Sequence, residues 1–141
     1  MKLFLRCACS CTCQPRRVCH ASLYAIVRHL NVRRRPEVRW RRTLQDLRAL
    51  TELQRELSDA AISVLNSGGI FGYATCSPHF AETSAQVQMI LKNHPELEQL
   101  DIAEHFPKEL VGAIRGLNLS LWTGRHETDS MFLAIFKKRG E

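Results

Sequence analysis

Cys76 is the residue whose type and setting most invite chemistry. It follows the apolar run Ile70-Phe71-Gly72-Tyr73-Ala74-Thr75 and precedes Ser77-Pro78, where proline stops a strand ladder. A thiolate is both a nucleophile and a metal ligand, and a nearby helix N terminus lowers its pKa. Cys76 reads equally as a small buried apolar side chain, since such cysteines are often buried. Its place beyond a strand end is where open α/β sheets bind ligands. Farther on, His126 with Glu127 or Asp129 has the composition of an acid/base pair, or of a polar connecting loop.

The other five cysteines, Cys7, Cys9, Cys11, Cys13 and Cys19, lie near the start of the chain. Their alternation has the look of a thiolate cluster, with His20 as a further soft donor. It lacks the paired C-x₂₋₄-C units of zinc sites. We therefore read residues 1–32 as an unstructured or unrelated Cys/Arg-rich leader without a metal site. The apolar stretch Lys2-Leu3-Phe4-Leu5 is cut short by Arg6, which excludes a secretory signal. No apolar run approaches the roughly 20 residues that span a bilayer. The expectation is a cytoplasmic chain with no membrane contact, its thiols kept reduced.

Residues 33–42 hold Arg33, Arg34, Arg35, Arg39, Arg41 and Arg42 around Trp40. Guanidinium groups neutralise phosphates and an indole stacks on bases, so the stretch is a candidate RNA contact. A plain solvated charge run, with Trp40 anchored in the core, is the other reading.

These groups need a scaffold. The chain has 141 residues, 45% hydrophobic and 24% charged, which fits one globular domain and excludes a wholly disordered or collagen-like chain. The net charge of +6 is uneven. Residues 1–42 carry 11 Lys+Arg and one acid, and residues 43–141 carry 9 and 13, so the parts are +10 and −4.

Thr43 and Asp46 form a capping box with Asp in place of Glu. Leu47, Leu50, Leu53, Leu57, Ala60, Ala61, Val64 and Leu65 recur at helical spacing up to Gly68-Gly69. Ile70–Thr75 reads as a buried strand of a parallel sheet. A second helix is expected from about Ala81 to Asn93, with Ala85, Met89 and Leu91 or Ile90 inward. Strands are expected at Leu97–Ile102, Leu117–Trp122 and Met131–Phe136, with a short helix at Pro107–Ile114. Helix, strand, helix in this order predicts an α/β layer.

The segments Arg35–Arg42, Leu53–Leu57, Gly68–Ser77 and His126–Ala134 occur in an order that resembles the C-terminal part of the Sun/Fmu (RsmB) type of RNA cytosine-C5 methyltransferase. The resemblance covers about residues 33–141. It implies the C-terminal portion of a Rossmann-like class I methyltransferase fold with an incomplete sheet. It also implies Cys76 of Thr75-Cys76-Ser77 as catalytic nucleophile, S-adenosylmethionine as donor and ribosomal RNA as substrate.

The family's glycine-rich cofactor loop, adenosine-binding acid and Asp-Ala-Pro-Cys strand precede the Arg-Pro-Glu segment, and none is recognisable in residues 1–32. Val18–Tyr24 stands where that strand belongs, and Cys19 lacks its context. After Cys76, Glu82 matches the family's acidic turn, while Thr83 and Ser84 replace Asn and Glu. The expectation is a truncated chain, inactive alone, that keeps the nucleophile, leaves a strand edge open to aggregation or to pairing with another chain, and has a separate N-terminal fragment as a candidate partner. The rival expectation is a non-catalytic RNA- or partner-binding remnant that uses Arg33–Arg42.

Overall fold

A computed structural model describes residues 5–7, 23–27, 43–104 and 112–140. Its centre is β3 (Ile70–Thr75), buried along nearly its whole length. β2 (Leu23–Val27) runs parallel to β3 on one side, and β7 (Met131–Lys138) runs antiparallel on the other. β1 (Leu5–Cys7) pairs antiparallel with the outer edge of β2. Beyond β7 come β6 (Asn118–Leu121) and β5 (Ile114–Arg115), both antiparallel, and β4 (Leu97–Gln99) pairs with the far end of β7.

The sheet is therefore mixed, and the parallel sheet expected around Ile70–Thr75 exists only on the β2 side. The segment 1–32, expected to be unstructured, supplies the backbones of β1 and β2. β3 is flanked on both sides, by β2 and by β7. Short connections turn the chain back from β5 to β6 and from β6 to β7, which makes that half antiparallel.

Alternation along β7 divides the core in two. Phe132, Ala134 and Phe136 face the same side as Phe71 and Tyr73 of β3, with Phe71 and Phe136 stacked at 5.8 Å between centroids. The helices α1 (Leu44–Ser63) and α2 (Ser84–Asn93) cover this side through Ala61, Ile62, Val87 and Ile90. Leu133 and Ile135 point the other way, toward Ile102, Ala113 and Leu119.

The capping box forms as the sequence predicts. Thr43 Oγ1 accepts from the Asp46 amide, and Asp46 Oδ2 accepts from the Thr43 amide. The buried stripe of α1 differs from the expected one. Leu50, Gln54, Ser58, Ala61 and Ile62 face inward, while Ala60 and Val64 are exposed. In α2 the inward residues are Gln86, Val87 and Ile90, with Ala85, Met89 and Leu91 only half-buried. A turn of 3₁₀-helix at Phe80–Glu82 precedes α2 and shifts its phase. Ile102 belongs to a separate short turn, Ile102–Glu104, and not to a strand continuing from Leu97. Most of the expected helix at Pro107–Ile114 lies outside the described residues, and Ile114 itself begins β5.

Candidate active site

β3 delivers Cys76 to the carboxyl end of the sheet, half-buried, one residue past the last strand position. Register places the end of β3 beside the start of β7, with Thr75 opposite Phe132, and the end of β6 follows, with Ser120 opposite Phe132. These strand termini border a cavity of about 250 Å³. Ser77, Pro78, Phe80 and Thr83 wall it on one side, and Ser120, Leu121, Trp122 and Met131 on the other, with Arg115 at its rim. Cys76 adjoins this lining without belonging to it.

Buried hydrogen bonds fix the corner that carries Cys76. Glu82 is fully buried, and its carboxylate accepts from Gln54 Nε2 at 3.1 Å and from Ser77 Oγ. Tyr73 Oη donates to the Glu82 carbonyl at 2.7 Å and lies 3.2 Å from Gln54 Oε1. Burial, and then the Glu82 charge, push the Tyr73 phenol well above its ordinary range, so it stays a donor. The Ser77 amide bonds Thr75 Oγ1 across Cys76, and the His79 amide bonds Ser77 Oγ in the turn that follows. A buried carboxyl group needs partners for its oxygens, and Gln54 and Ser77 supply them. Gln54, Tyr73, Ser77 and Glu82 thus bind α1, β3 and the loop after Cys76 into one unit.

The helix start expected beside Cys76 is not there. α2 begins at Ser84, after the turn that His79 caps by accepting the Ala81 amide at its Nδ1. His126 is likewise not part of an acid/base pair. Its Nδ1 accepts the Trp122 amide at 2.9 Å, capping the short helix α3 (Thr123–His126). Arg33, Arg34, Arg35, Arg39, Trp40, Arg41 and Arg42 lie outside the described residues, as do the side chains of the leader cysteines. Among the described residues no cluster of His, Cys, Asp and Glu could hold a metal ion, and no helix is long and apolar enough to cross a membrane.

Sequence reasoning missed Gln54 and the partners of Glu82. The signal was present: a glutamine and a serine, Gln54 and Ser58, interrupt the inward stripe of α1 one turn apart. A polar residue on a helix face that packs on a sheet needs a buried partner.

The 16S rRNA methyltransferase RsmB/F family model matches residues 28–137. A Mycobacterium tuberculosis protein named as a methyltransferase is 47% identical over 107 residues, covering 76% of this chain and 23% of its own length. The ribosomal RNA small subunit methyltransferase B of Vibrio cholerae is 43% identical over 65 residues, which is 46% of this chain and 15% of that protein. The crystal structure of a methyltransferase homologue from Pyrococcus horikoshii superposes with a TM-score of 0.58 at 27% identity, over 69% of this chain and 33% of that one. The chain thus spans about a quarter or less of the length of these curated relatives.

Proposed function

The chain belongs to the 16S rRNA methyltransferase RsmB/F family, and from that premise we propose that it carries the nucleophile of an RNA cytosine-C5 methyl transfer. Cys76 is that nucleophile, ribosomal RNA the substrate and S-adenosylmethionine the methyl donor, in the cytoplasm where the thiol stays reduced. The observation that supports the reading is the Thr75-Cys76-Ser77 corner at the carboxyl end of β3, locked by buried Glu82 and opening toward a cavity.

C5 of cytosine is a weak nucleophile because its electrons are delocalised in the ring. A thiolate that adds at C6 forms an S–C6 bond and shifts the C5–C6 electron pair onto C5. Once C5 has been alkylated, loss of its proton and expulsion of the thiolate restore the ring. Cys76 performs the first and last of these steps. Ser77, bonded through its amide to Thr75 and through its hydroxyl to Glu82, holds the corner in place.

The described residues do not fit the donor. An adenosine ribose is commonly held by a carboxylate. Among the described residues none that is acidic lines the cavity, and Glu82 is committed to Gln54 and Ser77. We propose that a methyltransferase segment outside these 141 residues supplies the donor site, so that these residues alone do not transfer a methyl group. Arg33, Arg34, Arg35, Arg39, Arg41 and Arg42 are proposed to neutralise RNA phosphates, with Trp40 stacked on a base.

An RNA carrying 5-fluorocytidine tests this, because fluorine at C5 cannot leave as a proton does and the thioether persists. With S-adenosylmethionine and the N-terminal part of the Mycobacterium tuberculosis relative, the chain is expected to form a denaturant-resistant RNA adduct. Cys76→Ala should abolish it, and the chain alone should form none. An adduct that survives Cys76→Ala sinks the nucleophile assignment, and robust methylation by the chain alone sinks the division of labour.

A further inference from the structure

Six large apolar side chains are conspicuously exposed among the described residues, and three of them, Phe80, Trp122 and Met131, line the cavity beside Cys76. Phe80 is 64% exposed and Trp122 47%. They come from three different elements: the turn after β3, the end of β6 and the start of β7. Exposed apolar groups that converge in this way mark a contact surface, whereas scattered ones need no explanation.

The rest of the lining narrows the class of ligand. Arg115 supplies a permanent positive charge with a planar face, and Asn118 and Ser120 supply hydrogen-bonding groups. Gln99 Nε2 donates to Asn118 Oδ1 at 2.7 Å and so fixes the orientation of that carboxamide. Among the described residues no carboxylate lines the cavity, so none of these repels a polyanion. Two exposed aromatic faces, a guanidinium and an ordered amide in a space of about 250 Å³ suit one flat polar base next to a phosphate.

Position identifies which base. Ser77 and Pro78 line the cavity but Cys76 does not. A cytosine whose C6 lies on the Cys76 sulfur leaves this space to its neighbour. Resting on the proposed function, we infer that the cavity holds the unpaired nucleotide adjacent to the target cytosine, with its base stacked against Trp122 and Phe80 and its phosphate facing Arg115. The target is thereby read together with a neighbour, and only in single-stranded RNA.

The full chain can be tested without turnover. The chain's indole emission comes from two tryptophans, and the share that Trp122→Ala removes belongs to Trp122. Titration with a single-stranded hexaribonucleotide containing one cytosine is expected to quench that emission. Trp122→Ala should weaken binding by about tenfold, and Phe80→Ala by a similar factor. Both side chains are exposed, and circular dichroism checks that each variant folds.

An abasic residue next to the cytosine, placed on either side in turn, should cost the parent protein about tenfold on one side and cost Trp122→Ala almost nothing there. Losses that multiply on both sides, an absence of binding, or a duplex that competes as well as the single strand would each overturn the inference. The 5-fluorocytidine adduct separates the two claims. A Cys76-dependent adduct alongside multiplying losses removes only the neighbour site, whereas an adduct indifferent to Cys76→Ala removes the reading beneath it.

Discussion

Glu82 shows how one side chain can fix the loop that carries the proposed nucleophile. It is fully buried, and its two carboxylate oxygens accept from different elements, Gln54 of α1 and Ser77 of the loop after Cys76. Glu82→Ala would leave that amide and hydroxyl unpaired in the interior. Hydrogen bonds to a charged group are the strong ones, so we expect a loss of about 3 kcal/mol, read as a lower urea midpoint at unchanged slope. Glu82→Gln keeps the volume and one acceptor and should lose less. Equal stability of the two variants would show that the network does not support the corner. The sequence displayed Cys76 and its strand because both depend on local pattern. It hid the Gln54–Glu82 contact, since that joins positions 28 apart and no periodicity encodes the pairing.

The same contrast separates the elements from the joints between them. β3 occupies the six residues its apolar pattern marks out, and α1 starts at the capping box, because strand alternation and helix caps are short-range effects. The joints depend on distant partners. Lys138 of β7 donates its ammonium to the carbonyls of Ile62 and Leu65, serving as the cation that α1 lacks in its own last turn. His94, after α2, bonds Asp59 of α1 at 2.8 Å and Glu96 at 3.3 Å. The Glu96 carboxyl is held below its ordinary range by its own backbone amide and then by His94.

Gly68 and Gly69 make the tightest of these joints. Gly68 has φ +76° and donates to the Lys138 carbonyl, while the Gly69 carbonyl accepts the Lys138 amide. A Cβ on Gly69 would sit 2.8 Å from the Asn66 carbonyl oxygen and from the Leu65 side chain. Gly69→Ala must therefore push the end of α1 away from β3, at an expected cost of about 2 kcal/mol. Gly124→Ala, in open space, should change the urea midpoint little. Equal effects would mean that the α1–β3 joint yields without strain.

Across the molecule, charge and chemistry occupy different parts of the chain. Residues 43–141 carry Cys76, its supporting network and the cavity, yet their net charge is −4, which by itself repels RNA. Residues 1–42 carry +10 and, on the reading advanced above, supply the attraction. Each phosphate neutralised on a single strand steepens the dependence of log Kd on log salt by about 0.7. Changing Arg33, Arg34, Arg35, Arg39, Arg41 and Arg42 together to Gln should therefore flatten the slope by up to about 4, should every one contact a phosphate. Cys76→Ala should leave the slope unchanged, because a thiol carries no counterion to release. A slope indifferent to the six arginines would move the electrostatic contact elsewhere. Arg115 is then the first alternative, since it already lines the cavity where the bases are expected.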